Sequence, residues 1–239
     1  MIKRLRPPAR PLPAVGKEAV WYWDPPDVSA RWYWCRVYHQ DKYAANGATF
    51  RQYGPKARFD HHNAADPPAV VTSGRRILYV GEDLATLACE VFGAAGIATI
   101  CPSYRVSIIA PATTLAMYDL VAKGAAMAIG ALPALGDGDE PRALTQQWAR
   151  AIYEDHPAGP EITGIHYRSA YNSGESLALW DCDANIEIVS DDAGHPQDIA
   201  LNDPRILLRL QAELRWRQIN VTTVRSSDCN ECKKAALDP

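Results

Sequence analysis

Gly74-Arg75-Arg76-Ile77-Leu78-Tyr79-Val80-Gly81-Glu82-Asp83-Leu84-Ala85-Thr86-Leu87-Ala88-Cys89-Glu90-Val91 is the stretch on which the fold turns. Ile77-Leu78-Tyr79-Val80 is a short unbroken apolar run, the mark of a strand buried on both faces. Gly81-Glu82-Asp83 ends it. Asp83 is placed to cap a helix, because its carboxylate can accept from backbone N–H groups that the first turn leaves unpaired. Behind it Leu84, Leu87, Ala88 and Val91 recur at i, i+3, i+4 and i+7, one apolar stripe. At ~100° per residue Glu90 lies about 110° from the centre of that stripe, so a carboxylate borders the inner face.

Outward from this unit the pattern alternates between strands and helices. Residues 32–39 are aromatic and β-prone and read as a strand. Residues 165–169 read as another, with Ile165, Tyr167 and Ser169 on one face. Residues 176–180 and 186–189 look like further strands. Residues 115–128 favour a helix, whereas 133–141 do not. Leu144, Trp148, Ala151 and Ile152 share one side of a second amphipathic helix. A last helix opens at Asp203-Pro204, a capping residue followed by proline in the first turn, with Leu207, Leu210 and Leu214 facing inward. With no internal repeat and no interdomain linker, one α+β domain is the simplest account. Residues 1–30 form a Pro-rich arm, 31–220 the body and 221–239 a tail.

The composition is that of a globular protein: 47% of the 239 residues are hydrophobic and 22% charged. A net charge of -3 gives no general attraction to nucleic acid or to an anionic membrane, so any anion must be held by a local basic site. No apolar run approaches the ~20 residues that span a bilayer. The basic start is followed by Pro7, Pro8, Pro11 and Pro13 instead of an apolar signal core, which points to the cytoplasm. Of six cysteines, Cys229 and Cys232 form a lone CxxC. Tetrahedral zinc needs four ligands, and no second pair or nearby histidine pair completes the set, so no metal is assigned. His61-His62 lies in a polar, Pro-containing stretch and reads as solvated.

Some polar residues sit awkwardly in this scheme. Glu90 borders an inner helix face, Ser169 shares a strand face with Ile165 and Tyr167, and Arg36 and Arg58 lie beside aromatic residues. Burying an ionised group without partners costs several kcal/mol, so such groups either pair internally or line a cleft. An internal Arg–Glu pair, with Ser169 as a turn hydroxyl, is one reading. A polar cleft is the other.

The residues Arg36-Val37-Tyr38, then Gly54-Pro55-Lys56-Ala57-Arg58-Phe59-Asp60, then the opening stretch, resemble the RES domain family. That family is named for an arginine, a glutamate and a serine. The segments 145–153 and 164–170 are similar to its closing part, and the likeness covers roughly residues 31–190 in the family's order. By position, Arg58 matches the family arginine, Tyr79 the strand tyrosine, Glu90 the helix glutamate, Ser169 the serine, and Arg36 a further arginine. Ala57 stands where glycine is usual and Phe59 where tryptophan is common, which bears on the lip of the pocket.

The resemblance implies a mixed, strongly bent sheet flanked by helices, similar to ADP-ribosyltransferase toxins. It also implies an enzyme that consumes NAD+ by cleaving the nicotinamide–ribose bond, as the toxin of a toxin–antitoxin pair. Glu90, Arg58, Tyr79 and Ser169 would then be catalytic, and Arg36 would join Arg58, Tyr79 and Ser169 in holding NAD+. NAD+ is a substrate here, with inorganic phosphate or water as acceptor, and no cofactor is implied. The implied partner is an Xre-like helix-turn-helix antitoxin, and a homodimer stays open. Two alternatives stand beside this reading: a protein ADP-ribosyltransferase with the same pocket, and a RES-fold interaction module without activity.

Overall fold

The computed structural model describes residues 4–26, 34–63, 65, 67–70 and 74–237. Trp32 and Tyr33, the start of the first expected strand, lie outside the described residues. In chain order the strands are β1 (Val20–Trp23), β2 (Trp34–His39), β3 (Tyr53–Gly54), β4 (Ala69–Val70), β5 (Ile77–Gly81), β6 (Ile97–Ile100) and β7 (Tyr104–Pro111). They continue with β8 (Leu115–Asp119), β9 (Ile162–Arg168), β10 (Glu175–Trp180), β11 (Ile186–Ile188), β12 (Asp198–Ala200) and β13 (Asn220–Thr223). The helices are α1 (Leu84–Phe92), α2 (Ala125–Ala128), α3 (Ala134–Asp137), α4 (Arg142–Asp155), α5 (Pro204–Arg215) and α6 (Asn230–Leu237). The class is α+β with mixed strand pairing, as expected.

Two compact units are distinguished. The first gathers Met1–Pro25, Phe50–Tyr79 and Pro111–Asn185. In it β1 runs antiparallel to β8, β8 parallel to β9, and β9 antiparallel to β10. Its core packs Trp148, Ala151 and Ile152 of α4 with Ile165, Tyr167 and Trp180 of the strands. The stretch before β1 belongs to this unit. Leu5 and Leu12 are buried, Trp148 donates to the Arg6 carbonyl at 2.8 Å, and Arg10 pairs with Glu154 and Asp155 of α4.

The second unit gathers Pro26–Thr49, Val80–Ala110 and Ile186–Pro239. Here β2 and β12 each run antiparallel to β7, and β13 runs parallel to β6. Its core joins Leu84, Leu87, Ala88 and Phe92 of α1 with Leu210 and Leu214 of α5. The Asp83 cap forms as expected: its side chain accepts from Thr86 N at 2.7 Å. Asp203 caps α5 and Pro204 opens it.

Three expectations are corrected. Residues 115–119 are strand and not helix: β1 and β9 flank them, and that pairing overrides the helix preference of Leu, Ala and Met. Helix resumes only at α2, after Gly124 at φ 89°. Val91 is 41% exposed, because α1 buries Leu84 to Cys89 without interruption, a wider face than one stripe. Within 133–141, Ala134–Asp137 makes a single helical turn.

Candidate functional site

In the first unit Arg58 and Tyr79 meet at the loop 58–60, and Ser169 follows the residue whose carbonyl Arg58 contacts. The Arg58 guanidinium lies over the rings of Phe59 and Tyr167, 4.9 and 5.5 Å from their centroids. It donates to the carbonyls of Leu135 at 3.0 Å and Arg168 at 3.3 Å. Its Nε is buried without a hydrogen-bond partner, and among the described residues no carboxylate forms an ion pair with it. Such a cation keeps its charge for an anion, and a fork of N–H groups suits a phosphate.

Tyr79 fixes this loop. Its hydroxyl donates to Asp60 Oδ1 at 2.8 Å and accepts from Phe59 N at 3.0 Å. Burial, with the Asp60 charge beside it, pushes the phenol well above its ordinary range, so it stays protonated. Asp60 is fully buried. Desolvation opposes its charge, but the Arg51 guanidinium, the Lys56 amide and Tyr79 outweigh that and hold the carboxyl below its usual range. Both Asp60 oxygens accept from Arg51 Nη2 at 2.8 Å. Ser169, one residue past β9, is buried, and its Oγ accepts from Tyr171 N at 3.2 Å. That bond ties down the turn to β10.

Glu90 and Arg36 lie in the second unit. Glu90 is half-buried on α1, and its Oε1 is buried with no hydrogen-bond partner among the described residues. Arg36 lies over the Tyr38 ring and donates to the carbonyls of Gly47 and Thr49 at 3.0 and 2.6 Å, so it supports the loop after β2. Among the described residues Arg58 and Glu90 are thus the arginine and the carboxylate that present buried polar atoms without partners. The internal Arg–Glu pair is not formed by either Arg58 or Glu90 among the described residues.

Sequence reasoning missed a second polar cluster. His61 and His62 are fully buried, not solvated, because the surrounding aromatic shell covers them: His61 packs on Tyr153 and Trp180. Burial lowers both imidazole pKa values despite the neighbouring carboxylates, that of His62 to about 4. Asp181 Oδ2 accepts from Tyr153 at 2.8 Å and faces His61 Nε2 at 3.2 Å. A further buried imidazole, His166, is clamped by Asp119 at 2.9 Å and Glu175 at 3.2 Å. The adjacency of His61 and His62 was visible in sequence. Their cover, supplied by residues some 90 to 120 positions later, was not.

A family model described as the RES domain matches residues 33–202. No curated protein matches the chain, and no solved structure does.

Proposed function

The chain belongs to the RES domain family, and from that premise we propose that it cleaves NAD+ at the nicotinamide–ribose bond. One observation carries the reading. Among the described residues, the arginine and the glutamate that match the family motif each present a buried polar atom without a partner, and buried polar atoms are ordinarily satisfied. By the family resemblance, Arg58 would take phosphate oxygens, and Glu90 ribose hydroxyls or developing positive charge.

The chemistry suits these groups. As the C1′–N bond breaks, its electron pair leaves with nicotinamide and the ribose becomes oxocarbenium-like. A fixed carboxylate stabilises that charge, the role assigned to Glu90. Arg58 grips the pyrophosphate. Tyr79 holds the 58–60 loop through Asp60 and Phe59, and Ser169 shapes the turn after β9 while its hydroxyl proton stays available to a ribose or amide oxygen. Arg36 acts through the loop it supports. Capture by water yields ADP-ribose and a proton, and capture by phosphate yields ADP-ribose 1″-phosphate. A toxin role with a helix-turn-helix antitoxin follows from the family resemblance.

Incubating the pure chain with NAD+ and inorganic phosphate, and separating the products, tests the reading. Nicotinamide together with ADP-ribose or its 1″-phosphate is expected. ADP-ribose attached to protein would favour the transferase, and intact NAD+ would overturn the proposal.

A further inference from the structure

A partly buried quartet in the second unit points to a metal. We infer that His39, Cys101, Cys229 and Cys232 form a closed, four-ligand zinc site that fastens the C-terminal segment to the ends of β2 and β6. The four ligand atoms lie within 4.8 Å of one another. His39 Nε2 is 3.3 Å from Cys232 Sγ, 3.6 Å from Cys101 Sγ and 3.9 Å from Cys229 Sγ, and Cys101 and Cys232 are 3.6 Å apart. Tetrahedral zinc, with Zn–S of ~2.3 Å and Zn–N of ~2.0 Å, requires S···S edges of ~3.8 Å and N···S edges of ~3.5 Å. The three N···S distances and the Cys101–Cys232 distance are close to those edges, and the two remaining S···S distances are within 4.8 Å. A disulfide, at ~2.0 Å between sulfurs, is not formed.

The topology explains the convergence. β13 pairs in parallel with β6 in the register Thr223 to Ile100, so both strands exit at one end. Cys101 follows β6 directly, and Cys229 ends the short turn after β13. His39 pairs with Tyr104 across β2 and β7, and Tyr104 N closes a turn onto the Cys101 carbonyl at 3.1 Å. Cys232 sits in the first turn of α6. The CxxC that is weak alone is therefore completed by two ligands that the chain places 128 to 193 residues away.

The surroundings also fit a metal. Backbone N–H groups of Glu231 and Cys232 donate to the Cys229 sulfur, and that of Ser103 to the Cys101 sulfur. Such donors offset the charge of thiolates bound to an ion. His39 Nδ1 is buried without a hydrogen bond and faces the Asp41 carboxylate at 3.9 Å, which favours the tautomer that leaves Nε2 free to bind. Zinc uptake releases three thiol protons to solvent. Because four protein ligands fill the tetrahedron, no position is left for substrate, and the ion is structural.

The test is the metal content of the full chain, purified without chelator, followed by exchange with cobalt(II). One zinc per chain is expected, as are the intense visible bands and thiolate charge-transfer absorption of tetrahedral cobalt. In Cys101→Ser and Cys229→Ser, chelator competition should report a loss above the ~100-fold that removal of an outer partner can cause. Asp41→Asn should lose about tenfold, and Cys182→Ser, altering a cysteine outside the quartet, should retain the metal. A folded chain that holds no zinc and gives octahedral cobalt spectra overturns the inference. So does a disulfide-linked Cys101 and Cys232 found by mass spectrometry.

Discussion

Lowering the pH from 7 to 5 should destabilise the fold through His61 and His62. Each imidazole has a folded pKa below the ordinary 6.5, because burial disfavours the cation. The unfolded chain therefore binds protons that the folded chain refuses. The stabilisation is complete above about 6.5 and is lost as the pH falls toward the folded values. For His62, whose folded value is about 4, two-state proton linkage gives a loss of about 2 kcal/mol between pH 7 and 5. His61 adds a loss of the same sign. Asp60 and Asp181, whose pKa values are held down, lose their contributions in a lower window, below the ordinary carboxylate value of 3.8. Urea unfolding at pH 7, 6 and 5 measures the slope directly. Among the described residues neither ring nitrogen of His62 has a hydrogen-bond partner, so His62→Phe keeps a ring in place and removes one titrating group. Its slope should be flatter than that of the parent. A parent whose stability is level over this range, or a variant with the parent's slope, would refute burial as the cause.

Three further outcomes are expected. Gly164→Ala should cost about 1–3 kcal/mol in denaturant unfolding, because the new Cβ would lie 2.3 Å from the Ala178 carbonyl oxygen and 2.7 Å from Met117 Sδ. Asp83→Ala removes the side chain that caps α1 and should cost about 1 kcal/mol, read from the same assay. Arg58→Lys should raise the KM for NAD+ by at least about tenfold with a smaller change in kcat, since a lysine cannot present a forked pair of donors.

What the sequence made legible was local. The strand run at 77–80, the cap at Asp83 and the Asp203-Pro204 start of α5 are signals carried by adjacent residues, and all three appear where expected. What it hid depends on partners distant in the chain. Leu115–Asp119 is a strand only because β1 and β9 pair with it, and Val20–Trp23 sits in a Pro-rich stretch whose composition suggests irregular chain. Arg58, Tyr79 and Ser169 fall in one unit, but their hydrogen bonds were not foreseeable. The tyrosine hydroxyl serves Asp60 and the serine serves its own turn. His39 and Cys101 carry no mark in sequence of their meeting with the CxxC.

The most direct measurement is the rate of nicotinamide release from saturating NAD+ by the parent chain and by Glu90→Gln. A carboxamide fills the same space without the charge, so the rate should fall on the order of 10²-fold while the fold is unchanged. Equal rates in the two proteins, or no release by the parent, would contradict the assignment of Glu90 to the breaking bond.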